Sequence, residues 1–230
     1  MIAEILPAGV VVAEYFGDPP DARLFPEEEA GVCGAVDERR REYTTVRHLA
    51  RLAMQDLGLP AVAILSGTRR EPLWPSGLVG SMTHCVGYRA AALSFADRHA
   101  SIGIDAELHA PLTEGVLAKI ASPGEISRLA EREAGRPEVH WDALLFSAKE
   151  AVYKAWFPLT RRRLGFHESE LNFDPDCHAF TADVHRGEPV VAGYPRTRLT
   201  GRWHVHDGIV FTAVTIGQAL LSTVVADRDV

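Results

Sequence analysis

"YRAAALSFADRHASIGIDAE", residues 88–107, holds two apolar runs separated by the polar tip "ADRHA", a pattern that predicts a β-hairpin. In the second run side chains alternate faces, so Ile102, Ile104 and Ala106 share one face while Gly103, Asp105 and Glu107 share the other. The strand therefore ends with two carboxylates side by side, and something must offset their repulsion. An acidic pair at a strand end is also what a solvated sheet edge carries, so the pair alone leaves a cation site and a surface edge both open.

Upstream, residues 38–57 repeat apolar groups at helical spacing, with Val46, Leu49, Ala50, Ala53 and Leu57 as a stripe and Gly58 and Pro60 after it, which predicts a helix. "AVAILSG" (61–67) reads as a short strand, "REPLWPSGLVG" (70–80) as a Pro/Gly-rich loop, and "GSMTHC" (80–85) leads into the hairpin. Downstream, helical segments are expected near 114–121 and 123–134. A longer helix over 141–157 buries Leu144, Leu145, Ala148, Ala151, Val152, Ala155 and Trp156 and ends at Pro158, with Phe146, Lys149, Glu150, Tyr153 and Lys154 off that stripe. The last third reads as strands, with Asp207-Gly208 as a hairpin turn. A helix-rich segment followed by a hairpin in each half predicts an α+β protein of two similar subdomains, residues 1–110 and 111–230, with a cleft between them.

At 230 residues such a chain buries roughly 70–75% of its unfolded surface. Its 47% hydrophobic and 24% charged residues exclude the disordered and fibrous classes. Cys33, Cys85 and Cys177 form no CxxC pair, which argues against a disulfide framework or a structural zinc site and for a reducing cytoplasm. Glu4, Pro7 and Glu14 interrupt the apolar N-terminal stretch, so neither a signal peptide nor a membrane span is expected. A net charge of −7 argues against general nucleic-acid binding. Arg39, Arg40, Arg41, Arg47 and Arg51, and again Arg161 to Arg163, are basic stretches in this acidic chain. They suit phosphates or acidic partners, or else a solvated helix face.

Several residues can carry chemistry. Asp105 and Glu107 offer half a shell for a hard cation such as Mg²⁺. Glu150 and Lys154 have the spacing of an ordinary surface ion pair, yet Phe146 and Tyr153 beside them suggest a covered cleft wall, where Glu150 would complete the shell and Lys154 would meet phosphate. Ser81, Thr83 and His84 would meet a phosphate through hydroxyls, an amide and an imidazole; a buried, satisfied histidine is the alternative. A Ser81-His84-Asp105 hydrolase lacks the GxSxG elbow. Another Mg²⁺-dependent nucleotide enzyme lacks a glycine-rich phosphate loop, and a non-catalytic module would not need three carboxylates.

"REPLWPSGLVGSMTHC", "IGIDAE" and "WDALLFSAKEAVYKAW", in this order and spacing, resemble the three signature blocks of the Sfp/EntD-type 4′-phosphopantetheinyl transferases. With "RRREYTTVRHLARLAMQDLG" and "FPLTRRRLGF", the whole chain is similar to the actinobacterial PptT group. The resemblance implies a pseudo-dimer of two α+β halves with the site between them. It also implies Mg²⁺, with Mn²⁺ as a substitute, on Asp105, Glu107 and Glu150; Glu150 as candidate base; and Lys154 on the phosphates of coenzyme A. By the same resemblance, Arg39, Arg47, Arg69, Arg70, Glu71, Pro72, Ser81, Met82, Thr83 and His84 surround the coenzyme's nucleotide and pyrophosphate, His84 near the 3′-phosphate. The implied partners are apo acyl or peptidyl carrier proteins of fatty-acid, polyketide or nonribosomal-peptide synthases. A monomer is expected, and the arginines near 161–163 are a candidate carrier surface.

Overall fold

A computed structural model describes residues 1–185 and 197–218. Among these the chain runs through β1 (Val11–Phe16), α1 (Asp37–Asp56), β2 (Leu65–Ser66), β3 (Pro72–Leu73), β4 (Leu78–Cys85), β5 (Tyr88–Phe95), β6 (His99–Leu108), α2 (Val116–Ile120), α3 (Pro123–Gly135), α4 (Trp141–Thr160), β7 (Ser169–Asp174), β8 (Ala179–Val184), β9 (Thr197–His206) and β10 (Ile209–Gly217). The protein is α+β. One antiparallel sheet has the order β1-β5-β4, a second has β6-β10-β9-β8-β7, and β2 and β3 form a two-stranded ribbon.

Residues 88–107 are not a hairpin. β5 pairs with β4 on one side and β1 on the other, whereas β6 crosses to the second sheet and pairs with β10. The reason is burial: from Tyr88 to Ser94 every residue of β5 is buried, so both faces are covered and both edges are taken by other strands. Hairpins do form at β4–β5, joined at Val86-Gly87, and at β9–β10, turned by Asp207 and Gly208 with φ of 48° and 72°, as Asp-Gly favours; β2–β3 and β7–β8 pair in the same way.

β4 nevertheless lies beside β6. Ser81 Oγ accepts from the Ile104 amide and Thr83 Oγ1 from the Ala106 amide, each at 3.1 Å. Two hydroxyls thus stand in for a backbone ladder where the sheets meet. α1 packs Leu49, Ala50, Ala53 and Met54 against Ala91 and Leu93 of β5. α4 lies over β6 and β10, and Gly103 permits its close approach: a Cβ there would collide with the Ala151 carbonyl and the Ala155 amide.

α4 does not stop at Pro158. It continues to Thr160 and is capped by Arg161 in the left-handed region, φ 54°. A proline in a last turn forfeits a single amide bond, and the Arg161 amide closes the helix on the Phe157 carbonyl at 2.8 Å. The loop expected over 70–80 is shorter, since β3 and the start of β4 fall within it, and the strand expected over 61–67 is reduced to Leu65–Ser66.

Candidate active site

A cavity of about 970 Å³ opens where the two sheets meet. Its lining collects Arg39 and Arg47 from α1; Arg69, Arg70 and Glu71 from the β2–β3 turn and Pro72 from β3; Ser81, Met82, Thr83 and His84 from β4; Asp105 and Glu107 from β6; and Glu150 and Lys154 from α4. Residues up to 115 positions apart in sequence come together because β4 and β6 are stitched side by side and α4 rests on the glycine of β6.

Asp105, 4% exposed, is the centre of the acidic end. Its Oδ1 accepts from Lys154 Nζ at 2.7 Å and from Thr83 Oγ1 at 3.2 Å, and Lys154 also donates to the Ile104 carbonyl at 3.0 Å. Its Oδ2 is buried without a hydrogen-bond partner, an arrangement that costs about 1–3 kcal/mol or more unless a ligand supplies the missing contact. Half-buried Glu107 is pushed up to about 7 by burial and then by the Asp105 charge, with Lys154 opposing. Burial also raises Glu150, again against the pull of Lys154.

An oxygen-rich, under-neutralised set of this kind is the donor chemistry of a hard divalent cation. The three carboxylates fit such an ion by their donor type and by the unpartnered Asp105 Oδ2. Among the described residues, no three histidine, cysteine or carboxylate side chains are already arranged as a metal-binding group; Lys154 is the cation beside Asp105.

The other end is basic. Arg39 Nη1 stands 2.6 Å from His84 Nε2. Burial, followed by the charges of Arg39, Lys154 and Arg89, lowers His84 to about 4. Buried Arg47 donates to the Ile64 carbonyl at 2.8 Å and to Ser66 Oγ at 2.9 Å, and its guanidinium lies 3.2 Å over the Tyr43 ring. Burial lowers it to about 10. Each of these hydrogen-bond partners is neutral. Glu71 accepts from the Arg69 amide at 2.9 Å and pairs with Arg161 at 3.5 Å.

Ser81 Oγ and Thr83 Oγ1 each accept from a β6 amide, and the Thr83 hydroxyl donates to Asp105 Oδ1, so the Thr83 proton is committed within the protein. Ser81 and His84 also form no nucleophile–base pair, because His84 faces Arg39 and Glu42. Arg161, read from sequence as carrier surface, lines the cavity. The aromatic wall of Tyr43, Trp74 and Phe157 was not singled out from sequence, since those residues gather only once α1, the ribbon and α4 are packed. Phe146 and Tyr153 do line the cavity beside Glu150 and Lys154.

Two family models match the chain: the 4′-phosphopantetheinyl transferase N-terminal domain over residues 27–94 and the 4′-phosphopantetheinyl transferase superfamily over residues 101–196. The chain belongs to the 4′-phosphopantetheinyl transferase superfamily and is an enzyme of that class. Within it, the chain is 50% identical to 4′-phosphopantetheinyl transferase Svp of Streptomyces mobaraensis, covering 94% of this chain and 89% of Svp. It is 43% identical to the transferase PptT of Mycobacterium tuberculosis over 94% of this chain and 98% of PptT. It is 46% identical to the transferase Npt of Nocardia iowensis over 93% and 99%. Actinobacterial 4′-phosphopantetheinyl transferases are thus close homologues.

Proposed function

We propose that the protein transfers the 4′-phosphopantetheine arm of coenzyme A to a serine hydroxyl of an apo acyl or peptidyl carrier protein and releases adenosine 3′,5′-bisphosphate. The serine oxygen forms a bond to the β-phosphorus of the coenzyme's pyrophosphate as the bond to the departing bisphosphate breaks. The observation that carries this reading is the meeting, in one cavity, of an unpartnered Asp105 oxygen, two further half-buried carboxylates and the cationic side chains of Arg39, Arg47, Arg69, Arg70 and Lys154.

Asp105, Glu107 and Glu150 would hold Mg²⁺, or Mn²⁺ in its place, and the ion would supply charge neutralisation at the pyrophosphate. Glu150, whose proton affinity burial raises against the pull of Lys154, is suited to take the serine proton. Lys154 stabilises the leaving bisphosphate. Arg39, Arg47 and His84 hold the nucleotide end, contributing orientation rather than chemistry. Arg47 suits that task because its charge is buried against neutral partners, and a phosphate would be its counter-ion.

The same proposal includes the division at 110/111, with the cavity between two related halves. β6 then belongs to the first half by sequence and to the sheet of the second by pairing. A cytoplasmic monomer with no nucleic-acid partner is part of the reading. Among the described residues no helix is long and apolar enough to cross a membrane.

The test is incubation with coenzyme A, Mg²⁺ and apo carrier proteins of the fatty-acid, polyketide and nonribosomal-peptide types, followed by intact mass. The expected result is one phosphopantetheine arm added to at least one carrier. No mass gain on any of them contradicts the proposal.

A further inference from the structure

One carboxylate outside the cavity lining touches both Arg39 and His84. Glu42 lies three residues beyond Arg39 on α1, its side chain 15% exposed, with Oε2 3.4 Å from Arg39 Nη1. Its Oε1 is 3.4 Å from His84 Nδ1. The third side of this triangle is the 2.6 Å approach of Arg39 Nη1 to His84 Nε2. A guanidinium has only hydrogens to donate, so Nε2 accepts and the single proton of the neutral ring sits on Nδ1, facing Glu42. The other tautomer would set an N–H against the guanidinium and turn Arg39 away.

A carboxylate beside a phosphate site is at first sight a liability, because its charge repels the ligand. Its geometry accounts for its presence. Arginine has a long, rotamer-rich side chain whose ordering costs binding free energy, and Glu42 orders both Arg39 and His84 before the ligand arrives.

We propose that Glu42 is a positioning residue for the 3′-phosphate of coenzyme A, fixing the Nδ1–H tautomer of His84 and aiming the Arg39 guanidinium into the cavity. This rests on the reading of the cavity as a coenzyme A site.

Charge and positioning predict opposite signs, which makes the test decisive. Glu42→Gln removes a negative charge and, on electrostatics alone, would tighten coenzyme A binding. The proposal expects calorimetric affinity to fall about tenfold, equivalent to about 1.4 kcal/mol, with little change for 3′-dephospho-coenzyme A. Glu42→Asp, which keeps the charge but withdraws it by one methylene, should weaken coenzyme A to a similar degree. In the unliganded wild type, nitrogen-15 NMR of the His84 ring should show Nδ1 protonated, and Glu42→Gln should lose that preference.

Unchanged or tighter coenzyme A binding by Glu42→Gln overturns the assignment, as does an equal loss for 3′-dephospho-coenzyme A or an Nε2–H tautomer in the wild type. A wild type that binds no coenzyme A would instead remove the reading of the cavity, and the tautomer measurement stands apart from that outcome.

Discussion

Helix α4 carries two lysine–carboxylate pairs that differ in almost everything but composition. Lys149 and Glu125 are each 1% exposed in their side chains. The three ammonium hydrogens of Lys149 meet three acceptors: Glu125 Oε2 at 2.9 Å, the Phe166 carbonyl at 2.6 Å and the Ser169 carbonyl at 3.0 Å. Glu125 in turn accepts from the Leu171 and Ser122 amides at 2.8 Å each. Lys154, 27% exposed, meets Asp105 with one of its oxygens satisfied and the other bare. The two lysines are five residues apart and so roughly 140° apart around the helix, one facing α3 and β7, the other facing the cavity. The closed pair has no valence left for a ligand and ties the helix to the sheet. The open pair keeps charge available to one.

That contrast can be broken at either end. The largest expected effect is on the open side: Asp105→Ala and Glu150→Ala should each abolish arm transfer, a loss of about a thousandfold or more in rate, with far-ultraviolet circular dichroism unchanged. Near-normal turnover in either variant would take the carboxylates out of the reaction.

Next comes the closed side. Lys149→Met strands a buried carboxylate and should cost about 3–5 kcal/mol of stability, read by urea denaturation at neutral pH. An unfolding midpoint like the wild type's would show that the pair is not the tie it resembles.

Lys154→Ala reverses the pattern: a loss of about a hundredfold in transfer with a smaller change in unfolding than Lys149→Met. His84→Ala should weaken coenzyme A binding about tenfold, and unchanged affinity would remove His84 from the phosphate site.

A separate effect concerns pH. A histidine in the unfolded chain takes its proton near 6.5, whereas folded His84, buried and faced by Arg39, Lys154 and Arg89 against Asp105 and Glu42, waits until about 4. Between those values the unfolded state binds more protons, so the stability contributed by neutral His84 is lost as pH falls from 6.5 toward 4. His84→Gln should lose less stability over that window than the wild type, which thermal unfolding at several pH values measures.

The two pairs also mark how far the sequence could be read. Lys149 and Lys154 look alike in "SAKEAVYKAW", both off the apolar stripe, and periodicity places neither in the core. Burial of Lys149 depends on Glu125, 24 residues earlier, and on carbonyls of a later segment, partners that no local pattern reveals. The acidic strand end, the helix with Glu150 and the histidine were legible because each sits within one element, and the resemblance joined them. The crossing of β6 to a second sheet was not legible, since a hairpin tip and a sheet-to-sheet turn have the same polar composition. The hydroxyls of Ser81 and Thr83 were read as ligand contacts for a related reason: a hydroxyl both accepts and donates, so the same side chain suits an amide at a seam between sheets or a phosphate.

We propose that the open pair belongs to a cation site while the closed pair does not. Mn²⁺ bound per chain in the presence of coenzyme A, counted by electron paramagnetic resonance, tests this most directly. One tightly bound ion in the wild type, lost in Asp105→Asn and in Glu150→Gln, is the predicted result. Equal Mn²⁺ binding by the wild type and both variants would contradict it.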